Sequence, residues 1–155
     1  MTPFPRSHPT AGEAGPGRIL AIDYGRRRIG LALSDELRLT AQPLATLARA
    51  GRRDAIRRLR ELVRKHGVRA IVVGHPVRLD GTPGEMAEEV ERFAARLRKE
   101  VGLPVEMMDE RLSSWEAEEI SAARPGSSQK RRVPLDQIAA AVILRDYLER
   151  SRSTA

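Results

Sequence analysis

The sequence predicts an α/β fold, a mixed five-stranded sheet with helices on both faces. Three observations lead there. Residues 18–35, RILAIDYGRRRIGLALSD, place two apolar runs around a short basic turn, the pattern of two paired strands. From Arg52 the apolar spacing lengthens to the helical period. Two later strand-like runs, at 70–73 and 104–108, each follow a helical segment, and right-handed crossovers of that kind produce parallel pairing.

Taken in order, residues 1–17 carry Pro3, Pro5 and Pro9, then several Gly and Ala, with no periodicity. They offer little apolar surface to offset ordering entropy, so a disordered tail is expected. Its only charges, Arg6 and Glu13, cancel. The first strand holds Ile19 to Ile22 and ends near Asp23, Tyr24 and Gly25. Arg26, Arg27 and Arg28 form the turn, and Ile29 to Leu33 form the second strand. A third short strand is expected around 42–47, where Leu44 and Thr46 sit among turn-like residues, and three successive strands with short links make an antiparallel meander.

Ala55, Ile56, Leu59, Leu62 and Val63 then follow helical spacing up to Gly67. The opposite face carries Arg52, Arg53, Arg57, Arg58, Arg60, Arg64 and Lys65. A solvated face whose arginine stems cover apolar surface accounts for it more simply than a nucleic-acid-reading helix, because nothing in the spacing reads base edges. The run at 70–73 is the fourth strand. It ends at Gly74, His75 and Pro76, and a loop continues through Asp80-Gly81. A helix from about 83 aligns Met86, Val90, Phe93, Leu97 and Val101, with acids early and bases late, as the helix dipole favours. The strand at 104–108 ends in Asp109-Glu110-Arg111, and Ser113-x-x-Glu116 is a capping box that starts another helix. Residues 124–132, RPGSSQKRR, have four bases and no acids and suit a flexible basic loop. Pro134 opens a largely apolar last helix, and residues 151–155 are left as a C-terminal tail, with the folded domain at 18–150.

A chain of 155 residues favours one domain, and its 41% apolar and 32% charged content makes it globular rather than disordered. No apolar run approaches the roughly 18 to 20 residues that span a bilayer, no charged head precedes an apolar run at the N-terminus, and there is no cysteine. A cytoplasmic protein without disulfides, membrane span or secretory signal is expected. The net charge of +7 favours polyanionic partners, although a GC-rich genome with arginine codons gives the same composition without them. Aromatic residues are 3%, too few for an extended platform that stacks single-stranded bases.

Sites in α/β sheets gather at strand ends. Asp23 ends the first strand and Glu110 the last, and Asp136 stands in the first turn of the final helix. If the first strand is central, these three carboxylates can converge on one cleft. An all-oxygen donor set suits Mg²⁺ or Mn²⁺ rather than zinc, and such ions activate water and stabilise the leaving oxygen of a phosphodiester. Arg26, Arg27, Arg28, Lys130, Arg131 and Arg132 would hold phosphates. Each acid also has a plainer role. Asp-x-Gly is ordinary turn chemistry, and an Asp in a helix's first turn is favoured by the dipole alone. Asp109 and Glu110 must point to opposite faces, and the pattern does not choose between them. His75 reads as a loop residue bonded locally, Trp115 as packing, and Glu106, Glu116 and Glu118 as surface charges.

Four motifs in order then give the chain a family. They are Asp23-x-Gly25 with Arg28-Ile29-Gly30 and Ser34-Asp35; Ile71-Val72-Val73-Gly74-x-Pro76 with Asp80-Gly81-x-x-Gly84; Asp109-Glu110-Arg111-Leu112-Ser113; and Lys130-Arg131 followed by Asp136-x-x-Ala139-Ala140-x-x-Leu144. Over about residues 18–150 the chain resembles the YqgF (RuvX-like) family of pre-16S rRNA nucleases, also called Holliday-junction-resolvase-like proteins, whose fold is ribonuclease H-like. The resemblance implies sheet order 3-2-1-4-5 and an acidic cluster of Asp23, Glu110 and Asp136, with Glu110 rather than Asp109 in the cleft. It also implies that the Gly74 and Lys130–Arg132 loops border the substrate. His75 departs from the family, which usually has an apolar residue there. The tail at 1–17 lies outside the match.

The leading expectation is a metal-dependent phosphodiester hydrolase that acts on structured RNA, most plausibly at the 5′ end of precursor 16S rRNA in ribosome biogenesis. An alternative is a Holliday junction resolvase acting on branched DNA as a dimer. The other is a non-catalytic RNA-binding assembly factor. A nucleic-acid partner, no membrane and a monomer or homodimer are expected throughout.

Overall fold

The apolar runs at 18–24 and 28–34 pair as antiparallel strands around a turn that only glycine fits. In the computed structural model, which describes residues 16–49, 51–75, 86–109 and 133–154, these are β1 (Arg18–Tyr24) and β2 (Arg28–Ser34). The Gly25 N–H donates to the Arg28 carbonyl at 2.9 Å. A Cβ on Gly25 would lie 2.6 Å from that same oxygen, so any other residue would push the turn open. The far end of the pair is closed by side chains. Buried Ser34 accepts the Ile19 N–H through Oγ at 2.8 Å and donates to the Asp35 carbonyl at 2.9 Å. Asp35 Oδ1 accepts the N–H groups of Leu39 and Thr40 at 2.7 and 2.8 Å, and these bonds hold its carboxyl below the usual carboxylate range.

The chain continues through β3 (Ala41–Ala48), α1 (Arg52–His66), β4 (Val68–His75), α2 (Ala87–Val101), β5 (Val105–Asp109) and α3 (Leu135–Thr154). The sheet order is β3-β2-β1-β4-β5. β1 pairs antiparallel with β2 and parallel with β4, β2 pairs antiparallel with β3, and β4 pairs parallel with β5. This is the expected mixed sheet, with the first strand at its centre. The described part of α2 starts at Ala87, and α3 continues through Thr154, past the boundary expected at residue 150. The helix expected from Ser113, the basic loop at 124–132 and the tail up to residue 15 lie outside the described residues.

Strand alternation gives the sheet two faces. On one, Leu20, Ile22, Tyr24, Ile29, Leu31, Ile71 and Val73 meet Ile56 and Leu59 of α1 and Val90, Phe93 and Leu97 of α2. These are bulky side chains, and burying them is the main stabilising term. On the other face Ile19, Ala21, Ala32, Ala70, Val72 and Met108 meet Ala140, Ile143, Leu144 and Leu148 of α3. Three of those sheet residues are alanines, so α3 approaches the sheet closely.

Candidate active site

One row across the sheet sets the site. Asp23 of β1 is the register partner of Gly30 of β2, and Gly30 is the partner of Thr46 of β3. The first turn of α3 rests on that row. A Cβ built on Gly30 would fall 2.0 Å from the Asp136 carbonyl oxygen and 2.3 Å from its carbon, so the helix backbone occupies the space any side chain would need. The neighbouring Gln137 Nε2 donates to Thr46 Oγ1 at 2.9 Å and fixes the rotation of the turn. The turn itself closes on Pro134, whose carbonyl accepts from Gln137 N and Ile138 N at 3.0 and 3.2 Å. Pro134 lacks an N–H, which costs nothing at a helix start.

The consequence is a cleft of about 330 Å³ lined by Asp23, Gly25, Arg27, Arg28, Leu135, Asp136 and Ala139. Two of the three expected carboxylates and two of the three turn arginines therefore share one opening. Arg27 and Arg28 are exposed there. Arg26 is not among the lining residues; its carbonyl accepts from Arg49.

Asp136 Oδ2 is buried and has no hydrogen-bond partner among the described residues. A buried polar atom in that state costs about 1–3 kcal/mol, and more when charged. A hard divalent cation would satisfy it, and the donor set in the cleft is oxygen only, so the residues fit Mg²⁺ or Mn²⁺. Among the described residues no group of three potential ligands is assembled. Glu110, the expected third carboxylate, lies outside the described residues, as do Trp115, Lys130, Arg131 and Arg132.

Two other candidates fall on the opposite face. His75 closes β4 rather than sitting in a loop, and its Nε2 lies 3.1 Å from Glu91 Oε1 of α2, a contact across elements and not the local bond expected. Along β5, Val105 and Met107 join the core under α1 and α2, while Met108 joins the core under α3. Glu106, on the α3 side, holds the Tyr147 hydroxyl, and burial first, then this contact, pushes the Tyr147 pKa up. By that alternation Asp109 lies on the face away from Asp23.

Arg49 was not singled out by the sequence. Its Nη1 donates to the carbonyls of Gly25 and Arg26 at 3.3 and 3.1 Å, its guanidinium stacks over the Tyr24 ring at 4.8 Å, and it pairs with Glu89 of α2. It fastens the arginine turn to the bulky face. An arginine just past a strand carries no periodic signal. The only hint was Tyr24, an aromatic residue next to the candidate carboxylate.

Residues 17–150 match the model of a family described as RuvX, Holliday junction resolvase. Among curated relatives, a "Putative pre-16S rRNA nuclease" of Syntrophus aciditrophicus is 48% identical over 132 residues, covering 85% of this chain and 88% of that one. A protein of the same name from Geobacillus kaustophilus is 48% identical over 137 residues, covering 87% and 99%. Among solved structures, Thermus thermophilus RuvC bound to a Holliday junction superposes with a TM-score of 0.57 at 17% identity, covering 89% of this chain and 98% of that one. The Fowlpox virus resolvase bound to junction DNA gives 0.54 at 13% identity, covering 86% and 98%. At such identities these two structures establish a shared fold of the ribonuclease H-like, resolvase type.

Proposed function

This chain belongs to the RuvX family, and on that premise we propose that it is a cytoplasmic, divalent-metal-dependent nuclease that processes the 5′ end of precursor 16S rRNA. The observation that carries this reading is the cleft that Asp23 and Asp136 line together with Arg27 and Arg28, beside a buried Asp136 oxygen without a hydrogen-bond partner among the described residues. The rRNA substrate rests on relatives that share close to half of their residues with this chain, against resolvases that share under a fifth.

Asp23 and Asp136 would hold the metal, with Glu110 as the third ligand. That choice follows the family resemblance, and the placement of Asp109 on the face away from Asp23 leaves room for it. Bound there, a divalent ion supplies Lewis-acid charge stabilisation and a more acidic water. The remaining work belongs to the chain. Arg27 and Arg28 bind the phosphate and orient it against the carboxylates; Lys130, Arg131 and Arg132 would extend that contact, as would Arg26 from the same turn. Water would be the attacking group, and the two acids keep its approach polar.

The test is cleavage of a precursor 16S 5′-leader RNA by the purified protein in Mn²⁺. Asp23→Asn should lower the rate by more than about a hundredfold while the thermal transition holds. Full activity in that variant would rule the reading out. The family's description as Holliday junction resolvases favours a second reading, resolution of four-way DNA junctions. Two symmetric cuts in a junction, with the leader RNA left intact, would establish it instead.

A further inference from the structure

A second cavity stands back to back with the cleft, and we propose that it is a phosphate-binding subsite for the backbone of the nucleic-acid substrate; the proposal rests on the nuclease reading above. The cavity has a volume of about 410 Å³ and is lined by Tyr24, Arg49, Gly51, Arg52, Arg53 and Arg96. Four guanidinium groups and no carboxylate form its described wall. Two wall arginines already have acids, Arg49 with Glu89 and Arg96 with Glu100 at 3.1 Å, and the nearby Asp54 pairs with Arg57 and Arg58 at 2.6 and 3.2 Å. Arg52 and Arg53 are exposed and make no ion pair among the described residues. Two like charges side by side at one opening, beside two more guanidinium groups, call for an anion from outside. α1 also begins here without a side-chain cap, so its first amides and dipole favour the same sign.

The position suits a strand that continues from the cleft. Tyr24 follows Asp23 on β1, and their side chains face opposite sides of the sheet. Arg49 joins the two sides, because it lines the cavity and holds the Gly25 and Arg26 carbonyls of the turn. A backbone crossing that turn would pass Arg27 and Arg28 and then reach Arg52 and Arg53. The ligand is phosphate rather than a base. The Tyr24 ring is already covered by Arg49 and Phe93, and the fork-like guanidinium groups match phosphate oxygens. Contacts of this kind set position and carry no base sequence.

The test is equilibrium binding of the full chain, in an Asp23→Asn background that blocks cleavage, to the leader RNA at several salt concentrations. R52Q/R53Q should weaken binding about tenfold and lower the slope of log K against log salt by about one to two. R60Q/R64Q removes the same charge from exposed positions farther along α1 and should cost less than about twofold. Equal losses from both pairs, or an unchanged R52Q/R53Q, would overturn the subsite while leaving the nuclease reading intact. Calorimetry with inorganic phosphate separates the possible sources of the anion: phosphate bound by the parent and not by R52Q/R53Q, with RNA affinity equal in both, would make this a free-anion site and overturn the proposal. No RNA binding by any of the proteins would overturn both readings.

Discussion

On one face of the sheet, α1 and α2 bury Ile56, Leu59, Val90, Phe93 and Leu97 against leucines, isoleucines and valines of the strands; on the other, α3 lies over Ala21, Ala32, Ala70 and Gly30. Both faces are buried, but they use volume in opposite ways. Bulky residues hold α1 and α2 away from the strands and supply most of the buried apolar surface. Small residues let the α3 backbone come down onto β2, which brings Asp136 to the level of Asp23. The first face contributes stability. The second exchanges some of that surface for position.

Substitutions on each face should separate the two roles. Phe93 is fully buried and touches Tyr24 at a ring distance of 4.4 Å. Phe93→Ala should cost about 3–5 kcal/mol in denaturant unfolding, the largest effect on stability, and the fraction that remains folded should cleave at close to the normal rate. Gly30→Ala should reverse that order. Its added methyl overlaps the Asp136 carbonyl, so the helix must shift. The expected cost is about 1–3 kcal/mol of stability. The cleavage rate should fall about a hundredfold, because a displacement of about 1 Å at a reacting centre has that consequence. A Gly30→Ala protein that keeps full activity would mean that close approach of α3 is packing and nothing more.

The same comparison explains what could be read in advance. The bulky face was legible because its residues repeat at strand and helix periods, as in Val90, Phe93 and Leu97. The parallel pairing of β4 and β5 followed from crossover geometry, and the central place of β1 from the family resemblance. Asp23 stood out as a carboxylate at a strand end, but Gly30 entered only as part of a family motif, with no physical role attached. Its meaning depends on Asp136, and a contact between residues so far apart leaves no local pattern. Ser34 and Asp35, part of the motif that gave the family, close the far end of β1 and β2 and stand apart from the cleft. His75, expected as a locally bonded loop residue, instead closes β4 and reaches Glu91 on α2, a partner that leaves no local pattern. Arg49 and the arginine cavity were hidden inside a charge run that, over most of α1, is the solvated face expected.

The central claim is that Asp23 and Asp136 form one metal site because Gly30 lets α3 reach the strand. Anomalous diffraction from a crystal soaked in Mn²⁺ tests it most directly. The account predicts a peak about 2.0–2.2 Å from both an Asp23 oxygen and Asp136 Oδ2. A well-ordered cleft without a peak, or manganese bound only at other carboxylates, would contradict it.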